Sequence, residues 1–82
     1  MQANLISDKR DVYEVAYENS TGEGAITAVF ENPENGDKSA YKGIDDGSFI
    51  ATVANGYSGS ANCTVTHDDG TELDSGEVTF GP

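Results

Sequence analysis

The sequence is poor in cysteine, proline, tryptophan and basic residues, and it has no long hydrophobic run. One Cys and two Pro occur in 82 residues, and Trp is absent. A single Cys excludes an internal disulfide, so the small domain has no covalent crosslink to stabilise it. Because no apolar run approaches about 18 residues, we expect no membrane-spanning segment. The chain begins with Met1 and shows no signal-peptide-like apolar segment, so we expect an intact gene product.

The charge is strongly one-sided. Four Lys and Arg residues stand against 15 Asp and Glu residues, which gives a formal net charge of −11. Nucleic acids and anionic membranes both bind proteins through Lys and Arg side chains, so we expect neither as a partner. The acidity fits three interpretations: solubility of a small β protein, a high-salt habitat, or a cationic partner.

The first ten residues differ in composition from the rest. They contain two aliphatic and two basic residues, Leu5, Ile6, Lys9 and Arg10. The basic pair and Asp8 give this segment a charge of +1, which leaves −12 for residues 11–82. We interpret residues 1–10 as an N-terminal arm that docks on a partner or as a first edge strand. We expect residues 11–82 to form one β-sandwich domain.

Stretches of alternating apolar and polar residues recur about every ten positions between turn signals. They cover residues 11–18, 25–31, 38–42, 48–54, 60–66 and 72–80. A period of two residues is typical of half-buried strands, and the Pro, Asn-Gly and Asp-Gly positions between the stretches favour tight turns. The pattern predicts six strands, or seven with the first segment, and very little helix. It is the spacing of an all-β sandwich.

The alternation also predicts which side chains face the core. The inward residues are Tyr13, Val15, Tyr17, Ile26, Ala28, Phe30, Phe49, Ala51, Val53, Ala61, Cys63 and Val65, with Val78 and Phe80 on the last strand. Cys63 is expected to behave as an inert buried hydrophobe, because no flanking positive charge would stabilise its thiolate. Residues 38–42 carry the other two basic residues, and Lys side chains protect sheet edges, so this strand is predicted at an edge.

No catalytic or metal-binding motif is recognisable. His67-Asp68-Asp69 and Asp45-Asp46 are the best candidates for a metal or acid–base site, but one His and one Cys are too few for a transition-metal site. The oxygen-rich stretch over residues 31–37 lacks the D-x-D-x-D-G series of a calcium loop. We interpret these Asp and Asn residues as turn-forming. The sequence predicts no enzyme, no catalytic residues, no metal site and no cofactor.

Six residues are candidates for contact with a protein partner. Tyr is enriched at binding surfaces because it combines a large apolar area with one polar group. Tyr41 lies on the predicted edge strand, and Tyr57 lies in a glycine-rich connection. Together with the first segment, the predicted partner-binding residues are Leu5, Ile6, Lys9, Arg10, Tyr41 and Tyr57.

The stretch from Phe49 to Phe80 resembles the last strands of bacterial and viral immunoglobulin-like modules. It has an F-x-A-x-V strand, a loop of small residues, an alternating strand and an Asp-Gly hairpin. Tyr13-Glu14-Val15, Gly24-Ala25-Ile26-Thr27 and Asn62-Cys63-Thr64-Val65-Thr66 are similar to the periplasmic domain of the mycobacterial MmpS family. Members of that family carry a membrane helix and usually a second Cys, which this sequence lacks. The resemblance implies a single immunoglobulin-like antiparallel β-sandwich of six to seven strands.

These features predict a non-enzymatic structural or interaction module. The most specific expectation is an accessory subunit, such as a decoration or surface protein of a virus particle or a similar large assembly, located on the virion surface. The alternative is a soluble extracellular or periplasmic immunoglobulin-like binding domain of MmpS type, from a salt-adapted organism. A small hydrolase or metal-dependent enzyme is a remote third class.

Overall fold

The computed structural model describes residues 1–81, which contain seven strands and no helix. The strands are β1 (Gln2–Leu5), β2 (Val12–Ala16), β3 (Ala25–Glu31), β4 (Lys38–Ile44), β5 (Ser48–Thr52), β6 (Gly59–His67) and β7 (Glu72–Phe80). They form two antiparallel sheets, with strand orders β1-β2-β5 and β4-β3-β6-β7. The prediction of an all-β antiparallel sandwich is therefore confirmed.

The core lies between the two sheets and is built from every second side chain of their strands. The buried apolar residues are Tyr13, Val15, Tyr17, Ile26, Ala28, Phe30, Phe49, Ala51, Ala61, Cys63, Val65, Val78 and Phe80. The predicted core is confirmed except for Val53, which is only partly buried where it packs against this cluster. Phe30 is at the centre of the aromatic part, with its ring centroid 5.5 Å from Tyr41, 5.9 Å from Phe49 and 5.6 Å from Phe80.

Cys63 is 1% exposed on the inward face of β6. Burial, assisted by the negative charge of Asp74, raises the pKa of its thiol to about 12. The reactive thiolate is therefore both rare and shielded. We expect a disulfide reagent that releases a coloured thiolate to leave the native protein unlabelled over minutes and to label it completely in denaturant. Stoichiometric labelling of the native protein within seconds would contradict this inward position.

The bounds of four strands differ from the predicted ones. β5 ends at Thr52 rather than at residue 54, and β6 covers residues 59–67 rather than 60–66. β4 continues past Lys42, because Gly43 and Ile44 still pair with Ile26 and Ala25 of β3. The connection to β5 is consequently a tight turn over residues 45–47, and it closes with Gly47 at φ +104°. β2 is shorter than the predicted 11–18, since its pairing with β5 ends at Ala16. The end of β4 could not be read from the sequence pattern, because the residues of the turn over 45–47 are Asp and Gly.

The first segment contributes β1, an edge strand that pairs with β2 from Gln2↔Ala16 to Leu5↔Tyr13. Met1 and Ala3 pack against the core. Leu5 and Ile6 are 40% and 57% exposed. The segment is thus part of the three-stranded sheet, while its larger aliphatic side chains remain on the surface.

The sandwich has two ends that differ in charge. The upper end consists of the loops over residues 17–24, 45–47 and 68–71. The lower end consists of the loops over residues 6–11, 32–37 and 53–58. The upper loops contain six Asp and Glu residues and no Lys or Arg, whereas the lower loops contain four acidic and two basic residues. The lower end is therefore the less acidic one.

Candidate functional site

An open cleft of about 320 Å³ lies at the lower end, between the edge strands β4 and β5. Its apolar residues are Phe30, Tyr41, Val53, Ala54, Tyr57, Ala61 and Phe80, and its polar residues are Asn32, Asp37, Lys38, Ser39 and Thr52. The lining is thus predominantly apolar and carries one carboxylate and one ammonium group. Such a surface suits the side chains of a protein segment.

The connectivity explains why the cleft forms there. β4 and β5 are edges of different sheets, and the turn over residues 45–47 joins them at the upper end. Toward the lower end the strands have no backbone pairing with each other, and one side-chain bridge crosses the gap. The hydroxyl of Tyr41 donates a hydrogen bond of 2.6 Å to the carbonyl oxygen of Thr52. The cleft is the remaining opening between the sheets.

The structure brings the two tyrosines proposed as partner-binding residues to this one cleft. Tyr41 is half-buried, and its ring meets the Phe30 ring edge-on. Tyr57 is also half-buried, and its ring centroid lies 6.4 Å from that of Phe80. Both rings therefore rest on the aromatic core and still face the opening. They are held in place before any partner arrives.

The four candidates from the first segment also lie at the lower end, but they do not line the cleft. Leu5 ends β1, and the other three lie in the loop over residues 6–11. This loop is fixed by hydrogen bonds from the Arg10 N–H to the Ser7 carbonyl and from the Ser7 hydroxyl to the Asp11 carboxylate. The backbone carbonyl oxygen of Asp11 accepts a 2.8 Å hydrogen bond from the N–H of Val53, a cleft residue. The loop is therefore a neighbour of the cleft wall.

A buried carboxylate at the upper end was missed by the sequence reasoning. Asp45, interpreted as a turn residue, is only 1% exposed. It accepts hydrogen bonds from the Thr21 hydroxyl (2.5 Å), the Tyr17 hydroxyl (2.7 Å) and the Thr21 N–H (3.0 Å). The bonds from Thr21, followed by that from Tyr17, hold its pKa well below the usual range. The signal was present, because Tyr41, Gly43 and Asp45 continue one inward period of two residues.

His67 lies beside this carboxylate and connects two upper loops. Its Nε2 donates a hydrogen bond to the Glu23 carbonyl oxygen at 3.0 Å and lies 3.7 Å from Asp45 Oδ2. Its Nδ1 lies 3.6 Å from Asp69 Oδ1 and has no hydrogen-bond partner within residues 1–81. Gly24 permits this approach, since a Cβ there would lie 2.7 Å from Nε2 and its φ is +87°.

The arrangement of Asp45 and His67 stabilises the fold. The Asp45 oxygens are occupied by hydroxyl and N–H donors, so they hold the loop over residues 17–24 against the end of β4. Among the described residues no group of three or more His, Cys, Asp or Glu side chains could hold a metal ion. The upper end therefore offers a hydrogen-bonded clamp between loops.

The clamp should make stability depend on pH near neutrality. The Glu23 carbonyl, followed by the carboxylates of Asp69 and Asp45, raises the pKa of His67. Because the pKa of His67 is higher in the folded than in the unfolded state, protonation of His67 stabilises the fold. This stabilisation is complete below the ordinary pKa of about 6.5 and is lost as pH rises through the folded-state pKa. We expect the Tm to fall as pH rises above about 6.5. In His67→Gln this fall should disappear; an equal fall in the variant would contradict the assignment.

Comparisons of the chain with protein-family models, curated proteins and solved structures find no match. Residues 1–81 include no helix long and apolar enough to cross a bilayer. Among the features of residues 1–81, the cleft at the lower end is the strongest candidate site.

Proposed function

We propose that the protein is a non-enzymatic interaction module that binds a protein partner through its lower end. The observation that carries this proposal is the open apolar cleft flanked by Tyr41 and Tyr57. Binding energy at protein interfaces is concentrated in a few aromatic or Arg side chains in concave, desolvated settings. Here two tyrosines already occupy such a setting, and both rest on core aromatic rings. Little conformational entropy remains to be lost when a partner binds.

The charge distribution supports the same orientation. A partner approaching the lower end meets loops with two basic and four acidic residues, whereas the upper loops carry six acidic residues and no Lys or Arg. Contact through the lower end would leave the acidic loops in solvent, where charge favours solubility. Contact through the upper end would instead desolvate carboxylates that have no cation to pair with among those loops.

The strand pairing supports an immunoglobulin-like description of the module. In constant-type immunoglobulin domains the second strand pairs with the fifth and the third with the sixth, as β2 does with β5 and β3 with β6. The difference is β4, which pairs here with β3, whereas in the constant type the fourth strand joins the sheet of the fifth. This shift of β4 leaves the edge of β5 open and creates the cleft.

The most specific form of the proposal is an accessory subunit of a large assembly, such as a decoration protein on the surface of a virus particle. The test is co-sedimentation with particles purified from the organism that encodes the chain. Wild-type protein should sediment with the particles at a fixed ratio. Tyr57→Ser should weaken this association roughly tenfold or more, because it removes a cleft-wall anchor.

The matched control is Ile50→Ser, which changes an apolar residue that is 50% exposed on the outer face of β5. It should sediment like the wild type. Thermal unfolding of both variants establishes that they remain folded at the assay temperature. Equal binding by Tyr57→Ser and wild type, or equal loss in both variants, would contradict the use of the cleft.

A further inference from the structure

The four free sheet edges of the described chain differ in charge. β1 and β5 contain no charged residue, and β7 carries three acidic side chains, Glu72, Asp74 and Glu77. β4 carries Lys38 and Lys42 and no acidic side chain. In a chain with 15 acidic and four basic residues, β4 is thus the one basic edge among residues 1–81. It also forms one wall of the cleft.

The pairing of β4 with β3 determines which of its backbone groups are free. The Asn32 N–H bonds to the Asp37 carbonyl, and the Asp45 N–H bonds to the Gly24 carbonyl. In an antiparallel pair alternate residues turn their N–H and C=O groups to the neighbour, so the odd-numbered residues of β4 face β3. The N–H and C=O groups of Lys38, Ala40 and Lys42 therefore point away from the sheet, along the open edge.

The same alternation places the side chains. Those of Lys38, Ala40 and Lys42 lie on the outer face, and all three residues are exposed, with Lys38 also bordering the rim of the cleft. Those of Ser39 and Tyr41 point inward and line the cleft. A strand laid along this edge would bond to the free backbone groups and direct every second side chain into the cleft.

We propose that β4 accepts an extended segment of the partner as an added strand. In an antiparallel arrangement, the segment has acidic side chains at its first and fifth positions, opposite Lys42 and Lys38. Apolar side chains at its second and fourth positions enter the cleft beside Tyr41 and Ser39. The proposal rests on the interaction-module function above and defines the chemistry of its partner.

The charges favour this occupant over a second copy of β4. Neither Lys38 nor Lys42 makes an ion pair within residues 1–81, and the Lys42 ammonium donates instead to the Thr27 hydroxyl at 3.1 Å. Two antiparallel β4 edges would bring Lys side chains opposite each other, which is destabilising. The net charge of −11 does not prevent acidic residues of the partner from pairing with Lys38 and Lys42, because charges beyond about 8 Å are screened at physiological ionic strength.

The steric fit favours a bulky group at the fourth position. Ser39 is small, and residues of the loop over 53–58, including Val53 and Tyr57, line the same cleft. An aromatic side chain opposite Ser39 would contact Tyr57 and approach Phe80 at the base. A smaller aliphatic side chain suits the second position, where the Tyr41 ring already fills space.

The test uses a capped synthetic peptide, Thr-Glu-Val-Thr-Phe-Glu-Thr, added to the isotope-labelled full chain and followed by NMR. The amides of Lys38, Ala40 and Lys42 should shift most, and their hydrogen exchange should slow. The control peptide has Lys in place of both Glu residues, and it should bind roughly tenfold or more weakly. In the double variant Lys38→Glu/Lys42→Glu the preference between the two peptides should reverse.

A second variant tests the backbone contribution. Ala40→Pro removes an N–H that points away from β3, a position where an edge strand tolerates proline. It should abolish binding of the acidic peptide without loss of the folded spectrum. If it fails to fold, the charge-reversed double variant still decides the question.

Several outcomes would overturn the proposal. One is equal binding of both peptides, and another is that the acidic peptide shifts only amide signals of β1, β5 or β7. The third is self-association in which β4 pairs with the acidic β7 edge of a second copy. If no peptide binds β4 while Tyr57→Ser still weakens particle binding, strand addition is wrong and the proposed function stands. If Tyr57→Ser leaves particle binding unchanged, the proposed function is wrong whatever the peptide does.

Discussion

Replacing Phe30 by Ala should lower the free energy of unfolding by about 3–5 kcal/mol. Phe30 is 6% exposed on β3, a central strand, and its ring contacts the rings of Tyr41, Phe49 and Phe80. Truncation removes buried apolar area and leaves a cavity that these rings cannot fill without moving. A domain of this length has a total stability of roughly 4–12 kcal/mol, so the variant should be close to its folding limit. Urea denaturation followed by circular dichroism measures the loss.

The control for this variant is Ile50→Ala, which shortens an aliphatic side chain that is 50% exposed on β5. Its effect should stay within about 0.5 kcal/mol, the range of ordinary surface substitutions. A loss below about 1 kcal/mol for Phe30→Ala would show that the aromatic cluster can close over the missing ring. The Phe30 side chain would then not be the centre of the core.

Replacing Tyr17 by Phe should cost about 1.5–3 kcal/mol, because it removes a hydrogen bond to a buried charged group. The Tyr17 hydroxyl donates to Asp45 Oδ1 at 2.7 Å and accepts the N–H of Gly47 at 3.1 Å. The ring itself would remain against Phe49, with which it has a centroid separation of 6.1 Å. Chemical denaturation at pH 7 measures the change.

The pH dependence of this loss identifies its cause. Because the pKa of Asp45 is lower in the folded than in the unfolded state, the ionised Asp45 carboxylate stabilises the fold. This stabilisation is present above the ordinary pKa of Asp and is lost as pH falls through the folded-state pKa. Without the Tyr17 hydroxyl the pKa of Asp45 is less depressed, so wild type and Tyr17→Phe should converge in stability only as pH falls through their folded-state pKa values, well below the ordinary value of about 4. Tyr57→Phe, which removes a hydroxyl from a ring that does not contact Asp45, should show no such convergence. Parallel pH profiles for the two variants would contradict the Asp45 assignment.

The strands and the core could be predicted from the sequence because both depend on local alternation. Ile26, Ala28 and Phe30 occupy every second position of one strand, and a period of two residues identifies a strand and its inward face together. The alternation around Cys63 gave its burial for the same reason. The end of β4 was missed because the inward period continues through Gly43 to Asp45, residues that also favour turns.

The candidate site was predicted only in parts. Tyr41 and Tyr57 were each identified from the strand or loop that holds them, but their convergence depends on which strands become sheet edges. That choice is made by the pairing of β2 with β5 and of β3 with β6, contacts between segments far apart in the chain. The Asp45 cluster is similar, because its donors lie 24 and 28 residues away. Spacing within one stretch carries no information about either arrangement.

The unequal charge of the two ends makes the molecule an electrical dipole with a defined orientation. A positively charged support, such as an anion-exchange resin or an amine-coated sensor, will attract the upper loops, with their six acidic and no basic residues, more strongly than the lower ones. Adsorbed molecules will therefore stand with the cleft and the β4 edge turned toward the solution. Immobilisation by charge alone would present the proposed binding surface, and coupling through the amines of Lys9 and Lys38 would obstruct it.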